Sequence, residues 1–108
     1  MRLCRQTLFT ALLVTSVSGV DAEKMPEVIQ YNRDIRPILS NNCFLCHGPD
    51  KGRRKADMRL DLEAEAKKDA IVPGKLSESE LWARIINSDV DERMPPKGSK
   101  KELNARQI

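Results

Sequence analysis

Aromatic side chains are scarce in this sequence, where phenylalanine, tryptophan and tyrosine together make up 4% of 108 residues. Beyond residue 22 only Tyr31, Phe44 and Trp82 remain. A domain of this size rarely obtains more than about 3–5 kcal/mol from its own core. The composition therefore disfavours a self-sufficient core and favours a small domain completed by an apolar cofactor.

Long stretches of charge of one sign are also missing. The 19 lysine and arginine residues are mixed along the chain with 16 aspartate and glutamate residues, and the net charge is +3. Nucleic-acid binders usually carry a clustered basic patch or stripe, so we expect no nucleic-acid partner. The sequence also lacks internal repeats and low-complexity tracts, which excludes a solenoid and leaves one small domain.

No apolar run is long enough to span a bilayer, which needs about 20 apolar residues. The longest run covers residues 8–20 and follows Arg2 and Arg5, which is the pattern of a secretory signal peptide. Small side chains near the boundary predict cleavage after Ala22, so that residues 1–22 leave and no stable membrane span remains. We therefore expect an exported protein, periplasmic or otherwise extracytoplasmic. The alternative is an uncleaved N-terminal anchor.

Histidine and cysteine are rare as well. His47 is the single histidine, and the three cysteines are Cys4, Cys43 and Cys46. We expect Cys4 to leave with the signal peptide, so a zinc site would lack its four ligands. A thioredoxin-like dithiol site would need a βαβ context, and the sequence shows none. Both uses of the cysteine pair are disfavoured.

The remaining cysteines and the histidine stand together as Cys43-Phe44-Leu45-Cys46-His47, the spacing of a c-type haem attachment site. Each thiol can add across one vinyl group of the porphyrin, and one helical turn separates the two sulfurs suitably. His47 follows Cys46 directly, so its ring can bind the iron as the proximal ligand. The motif thus predicts one covalent haem c held by Cys43 and Cys46.

Met94 is the preferred candidate for the second axial ligand of the iron. Thioether sulfur is a common sixth ligand and raises the reduction potential. Pro95 and Pro96 follow it and fix the backbone where a ligand loop must be stiff. Met58, in an expected apolar contact face, and Met25, in a polar leader over residues 23–30, are weaker candidates.

A turn-rich basic loop over residues 48–55 follows the motif. Such a loop is most simply a solvated surface. Alternatively, Arg53 or Arg54 contacts a haem propionate, because the guanidinium fork matches a carboxylate. The other basic residues of the loop are then free to face an acidic partner.

Apolar spacing and polar caps predict three helices: residues 33–41 capped by Asn32, a helix ending at Asp69 capped by Asp61, and a helix to Asn87 opened by a capping box of Ser77 and Glu80. A second capping box, Asn104 with Gln107, predicts a helix that begins near Ala105 and has one turn before Ile108.

With these motifs in order, the sequence resembles the planctomycete-type cytochrome c domain over residues 28–108. The resemblance rests on these segments: residues 31–39, residues 42–50 around the haem motif, residues 54–61, Ile71-Val72-Pro73-Gly74-Lys75, residues 79–81, residues 84–85 and Met94-Pro95-Pro96.

The resemblance implies a small all-α cytochrome c-like domain over residues 31–108, wrapped around a covalent haem with His47 and Met94 as axial ligands. In this family the domain usually opens a larger exported protein. Because the last helix has room for one turn only, we expect the C-terminal helix to be largely missing. An apolar patch over Ile35, Ile38 and Leu39 should then be exposed.

The predicted function is one-electron transfer to or from an unidentified redox partner protein. With both axial positions filled, an electron carrier is expected rather than an enzyme acting by itself. Alternatives are a haem-bearing sensor, part of a larger haem enzyme, or an inactive truncated remnant. A thiol oxidoreductase using Cys43 and Cys46 is the least favoured alternative.

Overall fold

The computed structural model describes residues 24–108, and within this range the chain forms three short α-helices and no strand. Helix α1 spans Arg36–Asn42, α2 spans Glu63–Asp69 and α3 spans Glu80–Ile85. This agrees with the predicted all-α class. The predicted signal peptide, with Cys4, lies outside the described residues.

Shorter helical turns accompany the three α-helices. One turn of π-helix, Tyr31–Ile35, leads directly into α1. Two 3₁₀ turns are present in the described range. Leu76–Glu78 lies before α3, and Lys97–Ser99 follows residues 92–96, which we call the Met94 segment. Most of the described chain is therefore loop held by local hydrogen bonds, and the helices act as short supports.

The first helical segment begins earlier than predicted, and the prediction that Asn32 caps it is wrong. Asn32 lies inside the π-helical turn, whose preceding residue is Gln30. Asp34 Oδ2 accepts the Gln30 N–H at 2.7 Å. The Arg33 guanidinium and this backbone amide lower the pKa of Asp34 to about 2. Pro37 lies in the first turn of α1, where a missing N–H costs no helical bond.

The cap predicted for α2 is also wrong. The helix begins at Glu63, after Leu62, and no side chain caps it. The Asp61 carboxylate instead accepts hydrogen bonds from the neighbouring Arg59, including one from Nε at 3.0 Å. The contact with the Arg59 guanidinium holds the pKa of Asp61 below its usual range.

The capping box of Ser77 and Glu80 does not form. Ser77 belongs to the 3₁₀ turn, and Ser79 precedes α3. The Ser79 hydroxyl is buried and joins the loop before the helix, accepting the Val72 N–H at 2.9 Å and lying 3.1 Å from the Lys75 carbonyl. The hydroxyl ties down the preceding loop instead of the first turn of α3.

The core lies between α2 and the segment that precedes it. Leu60, Ala66 and Ala70 form the buried cluster, and Leu60 is only 2% exposed. Five partly buried residues pack against this cluster: Cys43, Phe44, Met58, Ile71 and Leu81. Cys43, the first cysteine of the haem motif, thus packs against the core.

The apolar patch predicted on the first helix is not exposed as expected. Leu39 is 6% exposed, and Ile35 and Ile38 are half-buried. The Leu39 carbonyl accepts the N–H groups of both Cys43 and Phe44, at 2.7 and 3.1 Å. The turn after α1 therefore stays close to Leu39.

The second capping box forms as predicted. The Asn104 N–H donates to Gln107 Oε1 at 3.0 Å, and the Gln107 N–H donates to Asn104 Oδ1 at 3.1 Å. These are the two reciprocal bonds of the motif. The helix predicted to begin near Ala105 is not present, since residues 105–107 form only a turn.

Candidate functional site

The haem motif forms a hydrogen-bonded turn at the end of α1. The Cys43 N–H donates to the Leu39 carbonyl, and the Cys43 carbonyl accepts the N–H groups of Cys46 and His47 at 3.1 and 2.8 Å. Both cysteines are free thiols. One turn of chain therefore carries the two sulfurs and the imidazole together.

The loop after the motif is tied back to it by two backbone hydrogen bonds. The Lys55 N–H donates to the Cys46 carbonyl at 2.7 Å, and the Leu60 N–H donates to the His47 carbonyl at 2.8 Å. Because Leu60 is the most buried large side chain of the core, the second bond fixes His47 to the best-packed part of the domain.

Gly48 allows the turn to close tightly. A Cβ at this position would lie 2.2 Å from the Phe44 carbonyl oxygen and 3.0 Å from its carbon. The Arg54 guanidinium holds the same bend from outside, donating to the Gly48 and Pro49 carbonyls at 3.0 and 3.2 Å. Glycine is needed at position 48 because the backbone of Phe44 lies too close to leave room for a side chain.

A cavity of about 370 Å³ opens beside the turn, with an almost entirely apolar lining. Its volume falls in the range of about 300–1,000 Å³ typical of ligand and cofactor sites. Cys43, Cys46, His47 and Met94 all line it. The structure thus brings Met94 and His47, far apart in sequence, to one cavity.

Helix α3 positions Met94. The Met94 N–H donates to the Arg84 carbonyl at 3.0 Å. The Arg84 guanidinium also donates to Glu80, one turn back at 2.7 Å, and to the Glu92 carboxylate in the Met94 segment. These contacts raise the pKa of Arg84 further. The backbone carbonyl and the guanidinium of Arg84 therefore hold the Met94 segment against α3.

The other two methionines of the described range, Met25 and Met58, differ in position from Met94. Met25 is 54% exposed and does not line the cavity. Met58 lines it, but packs against the core cluster beside Leu60. Met94 lies outside that cluster, next to the stiff Pro95-Pro96 pair, which favours it as a ligand.

His47 retains an unsatisfied ring nitrogen. Its Nδ1 is buried and has no hydrogen-bond partner among the described residues. A buried polar atom left unpaired costs about 1–3 kcal/mol, so the site suits a bound group beside the imidazole. An apolar cavity with two thiols, one imidazole and one thioether is the donor set of a covalently attached haem. The residues present fit that group.

The Cys43 thiol is poorly suited to dithiol exchange. Burial, with a smaller contribution from Cys46, raises the pKa of Cys43 to about 11. Reactive cysteines in redox motifs have lowered pKa values, because the thiolate is the nucleophile. The local environment thus disfavours the thiol oxidoreductase alternative.

Membrane-spanning helices and metal-binding clusters can be assessed over the described range only. Between Lys24 and Ile108 no helix is long and apolar enough to cross a membrane. In the same range no group of three or more histidine, cysteine, aspartate or glutamate side chains is arranged to hold a metal ion.

Comparison with known families adds to this geometry. The family model described as Planctomycete cytochrome C matches residues 43–98, which is more than half of the chain. The chain belongs to the planctomycete cytochrome C family. Membership confirms the resemblance and makes the protein a c-type cytochrome, a class whose haem is covalently bound. No curated protein and no solved structure matches the chain.

The match to the planctomycete cytochrome C family begins at Cys43, the first cysteine of the motif, and ends at Gly98. It therefore contains both thiols, His47 and Met94. Cytochrome c domains are typically extracytoplasmic, in line with the predicted export.

The arginines predicted to contact propionates lie away from the cavity lining. Arg53 is exposed and lies 3.7 Å from the Asp50 carboxylate. Arg54 is largely buried and donates to loop carbonyls and, at 3.4 Å, to Asp57. Lys55, the next residue, lines the cavity. Propionate contact by Arg53 or Arg54 stays a prediction.

Sequence reasoning missed four residues that shape this planctomycete cytochrome C site: Gly48, Lys55, Arg84 and Lys101. The four-residue spacing of Glu80 and Arg84 predicts an ion pair within one helix. It does not reveal the link to Glu92, which arises only where the loop returns. The close approach at Gly48 has no signal beyond its position directly after the motif.

Proposed function

We propose that this chain is an exported electron-transfer cytochrome with one haem c, attached through Cys43 and Cys46 and ligated by His47 and Met94. The observation that carries the proposal is the shared apolar cavity, which all four residues line. The buried, unpaired Nδ1 of His47 supports it.

A haem c bound there supplies reversible one-electron oxidation and reduction of its iron. Cys43 and Cys46 would anchor the haem covalently. If His47 and Met94 both stayed bound to the iron in its two redox states, little reorganisation would oppose electron transfer. The apolar lining, including Leu60, excludes water and favours the less charged ferrous state. With both His47 and Met94 bound to the iron, no coordination site would remain for a substrate.

The direct test is a haem stain with oxidised and reduced spectra of the chain exported from cells that carry c-haem maturation machinery. We expect covalent haem that is low-spin in both states, with a methionine-to-iron charge-transfer band. Covalent but high-spin haem that binds cyanide readily would favour the sensor alternative. Export without haem would identify an inactive remnant.

The cavity lining also suggests which cations face the haem carboxylates. Lys55 and Lys101 line the cavity, and neither forms an ion pair with another residue in the described range. A nearby cation favours the ferrous state and the ionised propionate. Because Lys55 lines the cavity and Arg53 does not, we propose Lys55 as a propionate contact beside the contact predicted for Arg53 or Arg54.

We expect Lys55→Gln to lower the reduction potential by on the order of tens of millivolts, because one screened charge is lost near the haem. Potentiometric titration of Lys55→Gln and Arg53→Gln compares two cations of the same loop. A larger change in the Arg53 variant would instead support the contact predicted from sequence.

Arg84 should act as a positioning residue for Met94. Replacing Glu92 with glutamine removes the ionic contact between Arg84 and the loop, which is worth about 0.2–1 kcal/mol at an exposed site. We expect added imidazole to displace Met94 at a concentration about two- to fivefold lower, followed through the charge-transfer band.

Glu63→Gln is the matched control, since it removes a comparable exposed ion pair with Lys67 on α2. Equal displacement curves for the wild type and Glu92→Gln would refute the positioning role. We expect Arg84→Gln to make Met94 easier to displace with imidazole. Arg84→Lys should show a smaller effect than Arg84→Gln.

A further inference from the structure

A second groove adjoins the haem cavity on the far side of the Met94 segment. Its volume is about 540 Å³, and it shares Ile85, Met94, Pro95 and Lys101 with the first cavity. A molecule seated in this groove would therefore lie next to Met94 and Pro95, which also line the haem cavity.

The groove joins an apolar floor to a cationic rim. Val90, which is 48% exposed, contributes to the floor. Four cations line the groove together with a single carboxylate, so that its side chains carry a net charge of +3: Arg93, Lys97, Lys100, Lys101 and Glu102. All five are exposed.

Most cations outside the groove form an ion pair within residues 24–108, although four do not: Lys24, Arg36, Lys51 and Lys55. On α2, Lys67 and Lys68 pair with Glu63 and Glu65, and most described arginines also have a carboxylate partner. The four rim cations form no ion pair within residues 24–108. Uncompensated charge of one sign attracts an oppositely charged partner and accelerates its association.

We propose that this groove docks an acidic one-electron redox protein, through carboxylates around a central apolar side chain. The proposal rests on the proposed electron-transfer function. This chain loses one electron as the partner's own metal or flavin centre gains it, and no bond or proton is transferred. A protein fits better than a nucleic acid or a lipid surface, because neither of those carries an electron acceptor to the Met94 segment.

The test uses the full exported chain with its haem and a fluorescein-labelled peptide, Glu-Glu-Glu-Leu-Glu-Glu-Glu. A second peptide with serine in place of leucine has the same charge and tests the apolar floor. Fluorescence anisotropy should show binding that weakens with added salt and is tighter for the leucine peptide.

The variants Lys97→Gln with Lys100→Gln and Lys67→Gln with Lys68→Gln remove two charges each. We expect the first pair to weaken peptide binding roughly five- to tenfold, since each lost surface contact should weaken it about two- to threefold. The second pair lies on α2, away from the groove, and should change binding less than twofold.

Several outcomes would overturn the docking proposal. The first is no binding of the leucine peptide, and the second is an equal loss of peptide affinity in both double variants. The third is equal binding of the leucine and serine peptides, and the fourth is tighter binding of single-stranded RNA of equal charge. Sedimentation showing a dimer that dissociates in the Lys97/Lys100 variant would assign the groove to a second copy of the chain. The spectra of the same sample separate these outcomes from failure of the haem proposal, because a low-spin haem protein without peptide binding contradicts docking alone.

Discussion

Replacing Met94 with leucine should leave the haem attached but convert the iron from low-spin to high-spin and remove the methionine-to-iron charge-transfer band. Leucine matches methionine in volume, so the fold should lose less than about 1.5 kcal/mol. The reduction potential should fall by on the order of a hundred millivolts, because thioether ligation raises it and axial ligands tune it over a wide range. Optical spectra and potentiometry measure both changes.

The other methionines make this experiment discriminating. Met25 is exposed and outside the cavity lining, so Met25→Leu should retain the band and the potential. Met58 lines the cavity from the core side. If Met58→Leu removes the band and Met94→Leu does not, the ligand assignment is wrong.

The Gly48→Ala substitution should destabilise the domain by about 3 kcal/mol, near the upper end for overpacking. The added Cβ would meet the Phe44 carbonyl oxygen at 2.2 Å, and backbone cannot move aside as the end of a flexible side chain can. The turn carrying Cys43 and Cys46 must therefore shift. Thermal unfolding followed by circular dichroism should show a midpoint roughly 10–20 °C lower, with a reduced yield of haem-loaded protein.

Gly98→Ala is the matched control for this substitution. A Cβ at Gly98 meets no atom within 4 Å, and we expect its midpoint to stay within a few degrees of the wild type. Similar midpoints for the two variants would show that the turn tolerates the added carbon, and would contradict the close approach at Gly48.

The helix caps show where local sequence signals succeed and where they fail. The box of Asn104 and Gln107 forms both of its bonds, because both partners lie within one turn of the chain. The predicted box of Ser77 and Glu80 does not form, because Ser77 belongs to the preceding 3₁₀ turn. Asp61 does not cap α2, because the Arg59 guanidinium lies within reach of its carboxylate. Local rules apply until tertiary packing offers a polar group a different partner.

The sequence by itself determined the haem motif, the helical class and the family, because these depend on residue types at fixed short spacings. Cys43, Cys46 and His47 lie within five consecutive residues, where one turn settles their arrangement. Only the tertiary structure decided which distant residues face that turn. Met94 lines the cavity, where its N–H donates to the Arg84 carbonyl. Lys55 also lines the cavity, whereas Arg53 does not. Such contacts depend on how loops return over the core, and no short spacing encodes that path.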